Sequence, residues 1–196
     1  MDSLAMTFTS GWASGVNSYL VVLVLGIAER AGVDGIPAVL GRWEVLAVAA
    51  GLYVTEFVAD KIPYVDSTWD AVSTAIRPTV GAVLGVLLAG DATSLQAALG
   101  GVLGGGTALA SHTVKSGSRL AINTSPEPVT NVVASLGEDV TVLGVAVVAL
   151  HHPVIAASIA AVLLVVGLAV LYVALKYIRR GWRRWKGKDR LPAAVA

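Results

Sequence analysis

Residues Val154 to Ile178 form an unbroken apolar run with a single charge, Lys176. About 20 apolar residues in a helix cross the hydrocarbon core of a bilayer. Inside lipid the backbone has to satisfy its own hydrogen bonds, which a helix does. Six apolar segments can be drawn on this chain: Gly11–Ala28, Val45–Ala59, Thr79–Gly90, Leu95–Ser111, Val129–Leu150 and Val154–Ile178. The third is short for a span and borrows from the preceding Asp70–Arg77 segment. The last two are the most secure.

Composition agrees. The chain is 56% hydrophobic and 14% charged, with a mean hydropathy of +0.76. Soluble domains carry roughly 25% charged residues. The expected fold class is therefore all-α, a polytopic membrane protein of about six transmembrane helices. Residues 1–178 are expected as one transmembrane domain and 179–196 as a basic cytoplasmic tail. Cysteine is absent, which removes disulfides, thiol nucleophiles and thiolate metal sites. The start, MDSLAM, has no basic n-region, so a cleaved signal peptide is not expected.

The tail holds Lys176, Arg179, Arg180, Arg183, Arg184, Lys186, Lys188 and Arg190, with Trp182 and Trp185 at the interface. Basic residues favour the cytoplasmic side. Counting back through six spans puts the N-terminus inside as well. The loop at Asp91 and the turn at His151–His152 then face outward.

The two halves share punctuation. Each has a Gly/Ser-rich helix with a polar residue (Asn17; His112), a helix with buried acids (Glu56; Glu138 and Asp139) and a proline-led helix (Arg77–Pro78; His152–Pro153). The expectation is two inverted three-helix repeats, about 8–92 and 93–178, with broken or re-entrant segments allowed. Inverted repeats build many transporters, with the site near the midplane between them.

A carboxylate in hydrocarbon costs at least ~2.5–3.5 kcal/mol at a helix centre. Its presence there calls for a partner, water or a function. Glu56 and Asp60 are spaced i, i+4 on one face of the second span, and Pro63 ends that helix. Asp66 and Asp70 repeat the spacing and read as a short interfacial helix at the water boundary, with Asp66 as its cap. His112, Lys115 and Arg119 fall at i, i+3, i+7 and form a cationic stripe on the fourth span. His112 titrates near neutral pH when unperturbed. Asn131, Ser135 and Glu138 form a polar stripe on the fifth span, with Asp139 adjacent. Asn17 in the first span is placed to hydrogen-bond across helices. Asn123 lies in the loop LAINTSPEPVTN, where Pro126 and Pro128 break helix. These acids either line a cation path or pair internally with Lys115, Arg119 and His112, and the sequence leaves both open.

Glycines at Gly11/Gly15, Gly81/Gly85, Gly100/Gly104 and Gly101/Gly105 have the GxxxG spacing of close helix contacts. GGVLGGG lacks the Lys-Ser/Thr ending of a phosphate loop. No nucleophile–base pair or metal triad stands out, so an enzyme is not expected. No cofactor is expected, and the metal-ligand set is unknown.

The segments GVNSYLVVLVLG, EFVADKIPYVDSTWDAV…IRP and HTVKSGSRLAINTSPEPVTN…SLGEDV resemble the bacterial membrane proteins catalogued as domain of unknown function 4126. The resemblance covers about residues 8–175. It implies a small bacterial inner-membrane protein and supplies no activity.

The expected function is a small transporter or channel for a cation or proton-coupled solute. Its pathway residues are Asn17, Glu56, Asp60, His112, Lys115, Arg119, Asn123, Asn131, Glu138 and Asp139. Glu56, Glu138 and Asp139 are the expected ion or proton sites, and His112 a titrating gate. The alternatives are a structural scaffold with internally paired charges and a protein that handles lipid headgroups. Expected partners are membrane lipids, a small ion or solute and further copies of the chain, with no nucleic acid.

Overall fold

A computed structural model describes residues 3–90, 93–123 and 128–188, with backbone only at 128 and 181–188. The expectations for Asp91, Pro126, Trp182, Trp185 and the basic side chains from Arg183 onward lie outside these described side chains. The described residues form an all-helical membrane protein. The helices are α1 (Ser3–Arg30), α2 (Trp43–Ala59), α3 (Val65–Leu88), α4 (Ser94–Ile122), α5 (Pro128–His151) and α6 (Pro153–Lys188), with a 3-10 turn at Ala38–Gly41 before α2.

Helices α1, α3, α5 and α6 are long and apolar enough to cross a membrane. With 17 residues, α2 reaches only about 25 Å. At 29 residues, α4 reaches about 43 Å, but its glycines and its charges dilute its hydropathy. One face packs on α1 and α3, while Leu99, Val102 and Leu109 on another are exposed.

Glycine sets the centre of the bundle. Gly11 and Gly15 of α1 lie against the α4 backbone at Gly104 and Ala108, and Gly81 and Gly85 of α3 lie against Gly104 and Gly100. A Cβ at any of these four would strike a carbonyl. In lipid, helices are held by van der Waals fit rather than by burial of apolar surface, so such close approach is a main source of cohesion. The GxxxG expectation holds, and Gly101 and Gly105 also face α3, at Val86 and Ala82.

These pairings fix helix direction. Along α1, Gly11, Gly15 and Val16 meet Gly104, Ala108 and Lys115 in rising order, so α1 and α4 run parallel. Along α3 the order falls, so α3 is antiparallel to both. α5 runs with α3, from Asn131 beside Asp66 to Asp139 beside Asn17. α6 runs with α4, because Gly167 packs on Val114 and Leu171 on Gly117.

These contacts fix the direction of α1 only up to the break at Asn17, and α2 links the end of α1 to the start of α3 as one continuous helix of 17 residues. Arg30, the last residue of α1, stacks on Trp43 at 4.5 Å. Asp60, which caps α2, meets Arg119 near the end of α4. Arg30 and Asp60 thus mark opposite ends of α2. The half of α1 after Asn17 runs back alongside it, with Tyr19 and Val22 beside residues 45–52 of α2 and Val80 of α3, so α1 is the broken segment that the sequence allowed. The all-helical fold and its six helices stand as expected. Only the half of α1 before Asn17 is parallel to α4. The start of α1 lies beside Ala89 and Gly100, at the opposite end of α4 from Arg119.

Two helices differ internally from expectation. Helix α3 starts at Val65 and carries Pro78 in its interior rather than at its start. Proline removes one ladder hydrogen bond there, and the Ser14 hydroxyl donates to the neighbouring Arg77 carbonyl at 3.0 Å. The expected interfacial element from Pro63 to Asp70 is instead a turn followed by the first turns of α3. Tyr64 makes that turn with a φ of 70°. Helix α1 is interrupted at Asn17, whose φ and ψ are −151° and 95°.

Candidate functional site

The break at Asn17 organises the site. In a continuous helix the Leu20 N–H would donate to the Val16 carbonyl. Here it donates to Asn17 Oδ1 at 3.0 Å, so Asn17 acts as an N-cap in the middle of α1. The released carbonyls are taken by cations from other helices. Lys115 Nζ donates to Val16 O at 3.0 Å, and Arg77 Nη1 to Gly15 O at 3.3 Å. The Asn17 amide donates to Asp139 Oδ1 at 2.9 Å, as its expected role across helices requires.

Around this break three buried cations meet six carboxylates. Arg77 Nη2 donates to Glu56 Oε1 at 2.6 Å and lies 3.1 Å from Asp70 Oδ1. The latter is an ion pair without hydrogen-bond geometry, since both Asp70 oxygens lack a hydrogen-bond partner. Lys115 Nζ sits 2.7 Å from Asp60 Oδ2 and 3.2 Å from Glu56 Oε1. Arg119 grips Glu138 with two bonds, 2.6 and 3.3 Å long, and donates to the Asp60 carbonyl at 2.7 Å. Asp66 accepts from the Asn123 amide at 2.8 Å and from Asn131 at 3.3 Å. All ten residues picked from the sequence are thus brought into one network.

Arg77 Nη1 also lies 2.8 Å from His112 Nδ1. Guanidinium can only donate, so Nδ1 is the acceptor and the ring proton sits on Nε2, which is 3.0 Å from Thr74 Oγ1. In this arrangement His112 is a neutral relay between Arg77 and Thr74 rather than a charged gate.

The sequence reading put Asp66 and Asp70 at the water boundary and Asp60 in the pathway. All three are buried. Asp66 lies inside the first turn of α3, with Tyr64 as the cap residue. The reading also left out Arg77, assigned to a loop because Pro78 looked like a helix start. A signal was available: Asp66, Asp70, Ser73 and Arg77 fall at i, i+4, i+7, i+11 and share one helix face. Lys61, expected at an edge, is partly buried. It caps the Phe57 carbonyl at 2.8 Å and reaches Ser135 at 3.4 Å.

Even with Lys61 counted, the network holds six acids against four cationic groups. One member reaches outward: the Glu138 side chain is 21% exposed, while that of Lys115 is 2% exposed. Both line a crevice of about 120 Å³ walled by Trp12, Val16, Val114, Leu163 and Leu164. That is room for about four waters at ~30 Å³ each. Among the described residues no three His, Cys, Asp or Glu side chains are close enough to hold a metal ion.

No curated protein and no solved structure matches the chain. The resemblance carried by EFVADKIP and the His112–Asn131 segment is borne out: the chain belongs to the family described as domain of unknown function DUF4126, whose model matches residues 4–173.

Proposed function

We propose that the protein is a small membrane carrier or channel that moves a cation, or a solute coupled to protons, through the charge network around Asn17. One observation carries this reading. Six carboxylates and four cationic groups are gathered inside a helical bundle, next to a helix broken at its midpoint. An acid excess there needs protons or a cation to balance it. Discontinuous helices that offer freed carbonyls to ions are how many transporters build their sites. The Glu138 crevice supplies access from one side.

The basic residues after Ile178 place the C-terminal end of α6 in the cytoplasm by the positive-inside rule. The network occupies the same half of the bundle, so its opening is cytoplasmic, in a bacterial inner membrane by the family's resemblance. The start of α1, beside Ala89 and Gly100, is then on the outer side.

The test is flux in proteoliposomes, read with pH-sensitive and cation-sensitive dyes. Wild-type protein is expected to conduct, and Glu138→Gln to abolish flux while remaining folded. Equal flux in the two would sink the pathway. A structural scaffold is the second reading, favoured by the short Arg77–Glu56 bond and the two-bond grip of Arg119 on Glu138. Absence of flux across a broad cation panel would select it.

A further inference from the structure

Four oxygens surround the Lys115 ammonium. They are Asp60 Oδ2 at 2.7 Å, Val16 O at 3.0 Å, Glu56 Oε1 at 3.2 Å and Glu138 Oε2 at 3.5 Å. They come from α2, α1 and α5, while α4 delivers the cation. An ammonium has three N–H donors, so the cage offers more acceptors than this side chain can serve. Glu56 Oε2 and Asp60 Oδ1 add two buried carboxylate oxygens without any hydrogen-bond partner. The Val16 carbonyl is available only because α1 breaks at the next residue.

The spacing around Lys115 Nζ suits a nitrogen centre. Oxygens 2.7–3.5 Å from the central atom suit N–H···O bonds. Calcium and magnesium draw oxygens to about 2.0–2.6 Å. The crevice beside Lys115 and Glu138, about 120 Å³, has room for an ion of a few heavy atoms.

We propose that this cage is a binding site for a small ammonium ion, kept filled by the ammonium of Lys115 itself. An ion that enters past Glu138 takes the place of the tethered one. The proposal rests on the cation-transport reading and names its substrate class.

Removing the tethered cation exposes the site. Thermal unfolding of Lys115→Ala and Lys115→Met in detergent would be followed in ammonium, methylammonium, sodium and choline chlorides. Methionine keeps the apolar stem and its packing. Both variants are expected to be stabilised by ammonium and methylammonium. Above the dissociation constant, each tenfold rise in ammonium should raise the folded-to-unfolded ratio about tenfold. Wild-type protein should respond far less. Equal melting of the variants in all four salts overturns the proposal, as does sodium acting as well as ammonium. Should neither variant fold in choline, recovery on purification in ammonium supports the site, and failure in every salt overturns it.

Flux separates the two claims. Wild-type flux together with ammonium-insensitive variants removes the cage and keeps transport. Ammonium-dependent variants in a protein without flux keep the cage and remove transport.

Discussion

Arg77 is the side chain on which most of the network leans. It reaches Glu56, Asp70, His112 and the Gly15 carbonyl from one buried guanidinium. Deleting one partner of a buried pair leaves a charge without compensation and costs ~3–5 kcal/mol. Arg77→Met is therefore expected to lower stability by about that much, measured by thermal unfolding in detergent. Adding Glu56→Gln should recover part of the loss, because the orphaned carboxylate goes with its partner. An unchanged melting temperature in Arg77→Met would show that the pair is idle. At this scale the energetic cost of acids in lipid pointed correctly to Glu56, Glu138 and Asp139. It failed for Asp66, Asp70 and Arg77 because Pro78 was taken as a helix start, which put all three in water. A proline within α3 releases only the Thr74 carbonyl from the helical ladder.

Among the elements, α1 holds the feature that the sequence left least visible. An asparagine in an apolar run reads as a glue between helices, and Asn17 does bond to Asp139. Its backbone departure from helix depends on Lys115 and Arg77 arriving to take the freed carbonyls, which no local pattern encodes. Asn17→Ala loses the internal cap on Leu20, worth roughly 0.5–2 kcal/mol, and the bond to Asp139. Asn17→Ser keeps a capping oxygen at that position and should lose less. Comparing the unfolding of the two variants checks this, and equal losses would argue against a capping role. The starts of α5 and α6 were legible, because Pro128 and Pro153 open them, whereas α6 runs on past Ile178 to Lys188. α2 was legible as a helix, and its 17 residues lie within two of the expected bounds.

For the whole molecule, counting apolar runs gave six helices but not their directions. Direction is set by which glycine meets which, and that is a contact between segments far apart in sequence. The consequence is testable. Reporters active only in the cytoplasm or only outside, fused to each terminus in turn, should give opposite results for the N- and C-terminal fusions. Matching results would restore an even number of crossings. The glycine contacts also have a mechanical meaning. Where the bare backbones of α1, α3 and α4 touch, no side-chain rotamer can be exchanged to let one helix slide on another. Those three behave as a keel. Any working stroke that bares Lys115 to one side and then the other falls to α2, α5 and α6, the outer planks that lie against it.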